Sequence, residues 1–194
     1  MLELSDGIHA PQFVIDTDGD GAVTFSGSIG PFSFNVATGV SKPILGTALN
    51  PVLDLNSVDV TSGQGGGGTL TLELTDTDFV GNGVTAQFLS SVSGSLSGGS
   101  YSVSTFLDCG NAAFAQSIPL TSKSLSSASF TDDQNASIGA CLGSYSLTIL
   151  SILQLPGDAM FSGDEKLSLV VSEPTTLAIL GLAGLGVMRR RRAA

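Results

Sequence analysis

The strongest constraint on this chain is a recurrent alternation with period two. "PFSFNV" alternates Phe32, Phe34 and Val36 with polar positions, and "TLTLEL" alternates Leu70, Leu72 and Leu74 with Thr69, Thr71 and Glu73. "YSVSTFL" sets Tyr101, Val103, Thr105 and Leu107 on one side, "SYSLTIL" sets Tyr145, Leu147 and Ile149, and "KLSLVV" sets Leu167, Leu169 and Val171. Successive strand side chains point to opposite faces, so each segment predicts one apolar face inward and one hydroxyl face outward. Turn-forming stretches punctuate them: "DGDG", "ATG", "SGQGGGG", "GNG", "SGG", "DCGN" and "LPGD". No long segment before residue 172 has helical period. About ten to twelve short strands of this kind predict an all-β body of two packed antiparallel sheets. A single open sheet of that size would expose too much apolar face.

The C-terminus breaks the pattern. After Ser172, Glu173 and Pro174, residues Thr175 to Met188 form fourteen positions without a charge, followed by Arg189, Arg190, Arg191 and Arg192. As a helix, fourteen residues reach about 21 Å, short of a hydrocarbon core of about 30 Å. The expectation is a body at 1–171 and a tail at 172–194 holding a short hydrophobic, membrane-directed helix. Arginines at its inner edge would stay on the cytoplasmic side and place the body outside. A C-terminal transmembrane anchor is the plainer alternative.

The tail resembles the PEP-CTERM sorting tails of Gram-negative bacteria. "VSEPTTLAILGLAGLGVMRRRR" follows their Val-Pro-Glu-Pro, Ser/Thr, Leu-Ala-rich, Arg-cluster layout through Val171, Glu173, Pro174, Thr176, Leu177, Ala178 and the arginines. Ser172 stands where the pattern has its first proline. The resemblance implies recognition by exosortase in the inner membrane, export to the cell surface or beyond, and association with extracellular polysaccharide or biofilm. The body is similar to the front part of some short PEP-CTERM proteins through "FSFNVATGVSKPILG" and "LDLNSVDVTSGQGGGGTLTLELTDTDF", which implies no activity. Tails of this kind are also described as the C-terminal part of ice-binding proteins. Ice binding wants a flat, regular threonine array, and no repeat of fixed length occurs here.

Charge excludes one partner class. Ahead of the apolar run the chain carries three lysines against seventeen acids, a net charge of −14. Such a body repels nucleic acid, whose binding needs a Lys/Arg footprint. The first residues, "MLELSDGIHAPQFVID", have neither a basic stretch nor a continuous apolar one and do not read as a signal peptide. Export then implies a true start upstream or a fragment; otherwise the chain is cytosolic.

Candidate chemistry is sparse. "DTDGDGAVTFSG" puts Asp16, Asp18 and Asp20 at alternate positions before Gly21, a pattern that could wrap Ca²⁺ in oxygen ligands. The twelfth position, where a calcium loop needs a bidentate acid, is Gly27, and Asp-Gly is also the preferred hairpin turn. The turn reading is favoured, with a weak calcium site as the alternative. Asp76 and Asp78, with Asp54 and Asp59, form a second set that could line loops at one end of a sandwich; ordinary solvation of strand ends is the favoured reading. Cys109 and Cys141 are read either as one disulfide, in keeping with export, or as two buried thiols. His9 is the only histidine and sits in a terminal segment expected to fray. No nucleophile elbow, metalloprotease motif or tryptophan platform is present. These features predict a non-catalytic exported surface or matrix protein; the alternative is a calcium-assisted carbohydrate-binding or adhesion module.

Overall fold

A computed structural model describes residues 1–83, 85–139 and 141–170. Among the described residues, twelve strands run in chain order: β1 Leu2–Ser5, β2 Gln12–Val14, β3 Ala22–Ile29, β4 Phe32–Val40, β5 Val52–Ser62, β6 Gly68–Asn82, β7 Ala86–Leu96, β8 Ser100–Asp108, β9 Ile118–Leu125, β10 Ser129–Ile138, β11 Leu142–Leu155 and β12 Met160–Leu169. They form two six-stranded sheets, ordered β2-β1-β6-β11-β8-β9 and β10-β7-β12-β5-β4-β3. Every pairing is antiparallel. The fold is an all-β two-sheet sandwich. The hydrophobic helix expected at the C-terminus lies outside the described residues.

The alternation places the core as expected. Leu70, Leu72 and Leu74 of β6, Tyr101, Val103 and Leu107 of β8, and Tyr145, Leu147 and Ile149 of β11 are all buried between the sheets. From the facing sheet, Phe88, Phe161, Leu53, Leu55 and Leu167 meet them. Tyr101 lies 4.8 Å, ring centre to ring centre, from Phe161 and 5.6 Å from Phe130, an aromatic cluster that joins the sheets.

Three departures from the sequence expectation have local causes. The amino terminus does not fray: Leu2 and Leu4 are fully buried, because β1 inserts between β2 and β6. Four residues carry too little pattern to register as a strand, and pairing on both sides stabilises them instead. "ATG" is no turn but the interior of β4, where irregular pairing with β5 shifts the phase, so Val36 is only half-buried and Ala37 fully buried. Gly39 is needed there for packing: a Cβ at that position would meet Leu74 Cδ1 at 2.3 Å. The last strand starts at Met160, well before "KLSLVV", and carries Glu165 on its inward row at 3% exposure.

Candidate functional site

The described chain leaves the sandwich at Val170, and several loops converge at that end. Leu169 N–H donates to Pro51 O at 3.1 Å and Val170 N–H to Gln87 O at 2.7 Å, which carries the pairing of β12 to its limit. Val80 N–H donates to Ala48 O at 2.7 Å and anchors the 41–51 loop against β6. Cys109, just after β8, and Cys141, just before β11, form a disulfide with Cα atoms 5.4 Å apart. Gly81 allows this approach, since a Cβ on it would meet the Cys141 carbonyl oxygen at 2.2 Å.

Between the sheets at this end opens a groove of about 760 Å³. Leu49, Val80, Phe88, Ile138, Tyr145 and Val170 form most of its apolar lining. None of the residues lining it is charged at neutral pH, and burial pushes the Tyr145 hydroxyl up to about 12. An uncharged groove stands out on a body with seventeen acids.

The segment after Cys109 folds across the outer face of the first sheet. Asp108 Oδ2 accepts Ala112 N–H at 2.9 Å, Ser146 Oγ donates to Ala112 O at 2.7 Å, and Phe114 N–H donates to Thr75 Oγ1 at 3.2 Å. Asp78 and Asn111 both take left-handed backbone conformations, at φ 60° each. They lock reciprocally: Asp78 N–H donates to Asn111 Oδ1, and Asn111 Nδ2 to Asp78 Oδ1, both at 2.8 Å. That amide holds the Asp78 carboxyl below the usual range.

Asp16, Asp18 and Asp20 occupy the turn between β2 and β3. Their carboxylate oxygens lie within 4.8 Å of one another. Asp16 Oδ1 accepts Gly19 N–H at 2.8 Å and Oδ2 accepts Gly21 N–H at 2.9 Å, while Asp20 Oδ1 accepts Ala22 N–H at 2.8 Å. These backbone donors, Gly21 first, hold the Asp16 carboxyl below its ordinary value. Gly19 at φ 74° and Gly21 at φ 91° give the turn its shape. A small cavity of about 180 Å³ between Asp16, Lys42 and Asp76 adjoins it. Lys42 Nζ lies 2.8 Å from Asp76 Oδ2, also donates to Thr77 O, and sits 4.4 Å above the centre of the Phe79 ring.

Only part of the second acidic set is gathered. Asp76 and Asp78 sit close together on β6, but Asp54 and Asp59 lie within β5 of the other sheet and line no loop. Asp54 borders a shallow polar groove with Asp133, Asp164 and Lys166, and burial raises its carboxyl. Asp59 takes a hydrogen bond of 3.3 Å from Asn35 Nδ2. β5 changes phase at Ser57, between its pairings at Leu55 and Val58, so both point outward, and this sets them apart from Asp76. His9 Nδ1 is 2.6 Å from Asp6 Oδ2. Asp6 also accepts His9 N–H at 2.8 Å and Ile8 N–H at 3.0 Å, and these bonds hold its carboxyl down to about 2. The pair organises a turn, and no hydroxyl or thiol among the described residues hydrogen-bonds His9 Nε2. Val171, Ser172, Glu173, Pro174 and the arginines Arg189 to Arg192 lie outside the described residues. The sequence reading missed the exit groove, which is assembled from seven separate segments and leaves no local signal.

Residues 170–192 match the PEP-CTERM protein-sorting motif. No curated protein matches the chain. Among solved structures, the chain is similar to the carbohydrate-binding module CBM6cm-2 from Cellvibrio mixtus lichenase 5A in complex with cellotriose. That alignment has 9% identity and TM-score 0.35, covering 77% of this chain and 97% of that one. It is also similar to the K1 cleaved adhesin domain of Lys-gingipain from Porphyromonas gingivalis W83, at 10% identity and TM-score 0.34, covering 89% and 91%. A third is TmCBM61 in complex with β-1,4-galactotriose, at 11% identity and TM-score 0.33, covering 88% of each chain. Overlaps at these scores and identities carry no weight for ligand or ancestry.

Proposed function

We propose that this chain is an exported bacterial protein of the cell surface or extracellular matrix, associated with exopolysaccharide or biofilm, and non-catalytic. The observation that carries this reading is the sorting motif at 170–192, which begins at the residue after β12. The chain divides at about residue 171 into a sandwich body and a tail, 172–194. Val171, Ser172, Glu173 and Pro174 present the segment that exosortase recognises. Thr175 to Met188 enter the inner membrane, and Arg189 to Arg192 hold the inner edge until handover. A disulfide between Cys109 and Cys141 suits an oxidising compartment. Alkaline phosphatase fused after Ala194 tests the orientation. It should be inactive, as a cytoplasmic fusion is, whereas an active fusion would place the arginines outside and refute the reading.

A second reading is supported by the clustering of the Asp16, Asp18 and Asp20 carboxylates. Three oxygens from one turn supply part of the six to eight that Ca²⁺ takes, and the body would then act as a calcium-assisted carbohydrate-binding or adhesion module. Calorimetry with Ca²⁺, alone and with a panel of neutral and acidic glycans, decides it. Heat from Ca²⁺ that disappears in Asp18→Asn supports the site, and no heat in any titration removes it.

A further inference from the structure

We infer that the exit end of the sandwich is a lipid-contacting surface, seated on the outer face of the inner membrane while the tail is inserted. This deepens the proposed sorting role and rests on it. Among the described residues, nine large apolar side chains are exposed, and five of them gather at this one end: Ile44, Leu49, Val80, Leu142 and Val170. Leu142 is 85% exposed and Leu49 61%. Leu49, Val80 and Val170 edge the uncharged groove, and Leu142 stands on β11 beside Cys141. Scattered exposed leucines are ordinary, whereas a gathered set next to an uncharged groove marks a contact surface.

Chain length says what covers it. From Val170 to Thr175, where the apolar run begins, there are five residues, which reach about 17 Å when fully extended. The headgroup layer on each side of a bilayer is about 5–7 Å thick. A body tethered this closely has its exit end at the lipid surface whenever the run is in the hydrocarbon. Exposed leucines there exchange water for the headgroup and acyl boundary, as on an interfacial amphipathic surface. The aspartate turn lies to one side. It leads into β3, the edge strand, three strands from β12, or about 14 Å at the usual strand spacing. The acids of this turn therefore flank the contact without occupying it, while Asp78, two residues before Val80 on β6, borders it.

The chain contains no tryptophan, so single substitutions report on position. Full-length Leu49→Trp, Leu142→Trp and, at the opposite end, Met160→Trp are placed in vesicles of phosphatidylethanolamine with one fifth phosphatidylglycerol. Insertion of the tail is scored by resistance to carbonate extraction. Contact predicts that Leu49→Trp and Leu142→Trp emit further to the blue than Met160→Trp. They should also lose at least half their intensity to lipids brominated near the headgroup, while Met160→Trp loses none. An inserted tail with all three tryptophans alike, quenched by iodide and not by bromolipid, overturns the inference and leaves the sorting role standing. Quenching protection that arises only when exosortase is co-reconstituted overturns it in favour of a protein partner. A tail that does not insert refutes both.

Discussion

Glu165 offers the sharpest test of the core. It is fully buried on the inward row of β12, and Ser151 Oγ, across from it on β11, donates to its Oε2. Its strand neighbours in register are Leu55 and Val92, both buried. Burial without a cation raises its carboxyl well above the ordinary glutamate value of 4.5. The folded protein therefore holds a proton that the unfolded chain releases. Stability is fully present below about pH 4.5 and falls as pH rises from there toward the raised native value. The slope in that window is about 1.4 kcal/mol per pH unit. Glu165→Gln keeps the shape and removes the titration, so the wild-type-to-variant gap should change at that slope inside the window and level off above it. Urea unfolding at half-unit steps from pH 4.5 to 8 measures it. The two should be nearly equal at the acid end, with the variant increasingly more stable toward the alkaline end. A gap that stays constant across the range would show that Glu165 is ionised or solvated in the native state and would refute this description of the core.

Other substitutions test separate parts of the structure. Removing the disulfide with Cys109→Ser and Cys141→Ser opens a loop of sequence separation 32. It should cost about 3–4 kcal/mol in urea unfolding, whereas a loss under 1 kcal/mol would mean the pair is not bonded in solution. Tyr101 Oη is buried and has no hydrogen-bond partner among the described residues, so Tyr101→Phe should be neutral or stabilising by up to about 1 kcal/mol. A clear loss of stability would reveal a partner. Leu72→Ala, in the fully buried row of β6, should cost about 2–5 kcal/mol, and thermal unfolding would expose a smaller effect as a sign of loose packing.

Most of the sandwich was legible because alternation survives intact where a strand has one buried face. β8 and the first half of β6 are such strands, and the inward rows could be read off Leu70, Tyr101 and Tyr145 onward, although β11 is buried on both faces from Tyr145 to Ile149. Legibility failed where a feature depends on contacts distant in sequence. β1 is too short to show a pattern and exists through its neighbours. β4 changes phase at irregular pairings with β5, which no local motif announces. Glu165 sits in plain alternation, yet a charged residue type reads as outward until a facing serine is known to meet it. The candidate sites divide the same way. The aspartate turn is local, and its residues were found together. Asp54 and Asp76 were grouped by composition alone, and strand direction separates them. The exit groove needs the end of β6 in one sheet to face the start of β7 and the end of β12 in the other, which only the stacking of the two sheets provides.

Deleting residues 171–194 at the native locus and following the body by surface proteolysis and immunodetection addresses the function directly. Sorting through the tail predicts that the full chain is found on the cell surface or in the matrix, while the shortened chain, still folded, is missing from both. An unchanged distribution of the shortened chain would contradict export through this tail.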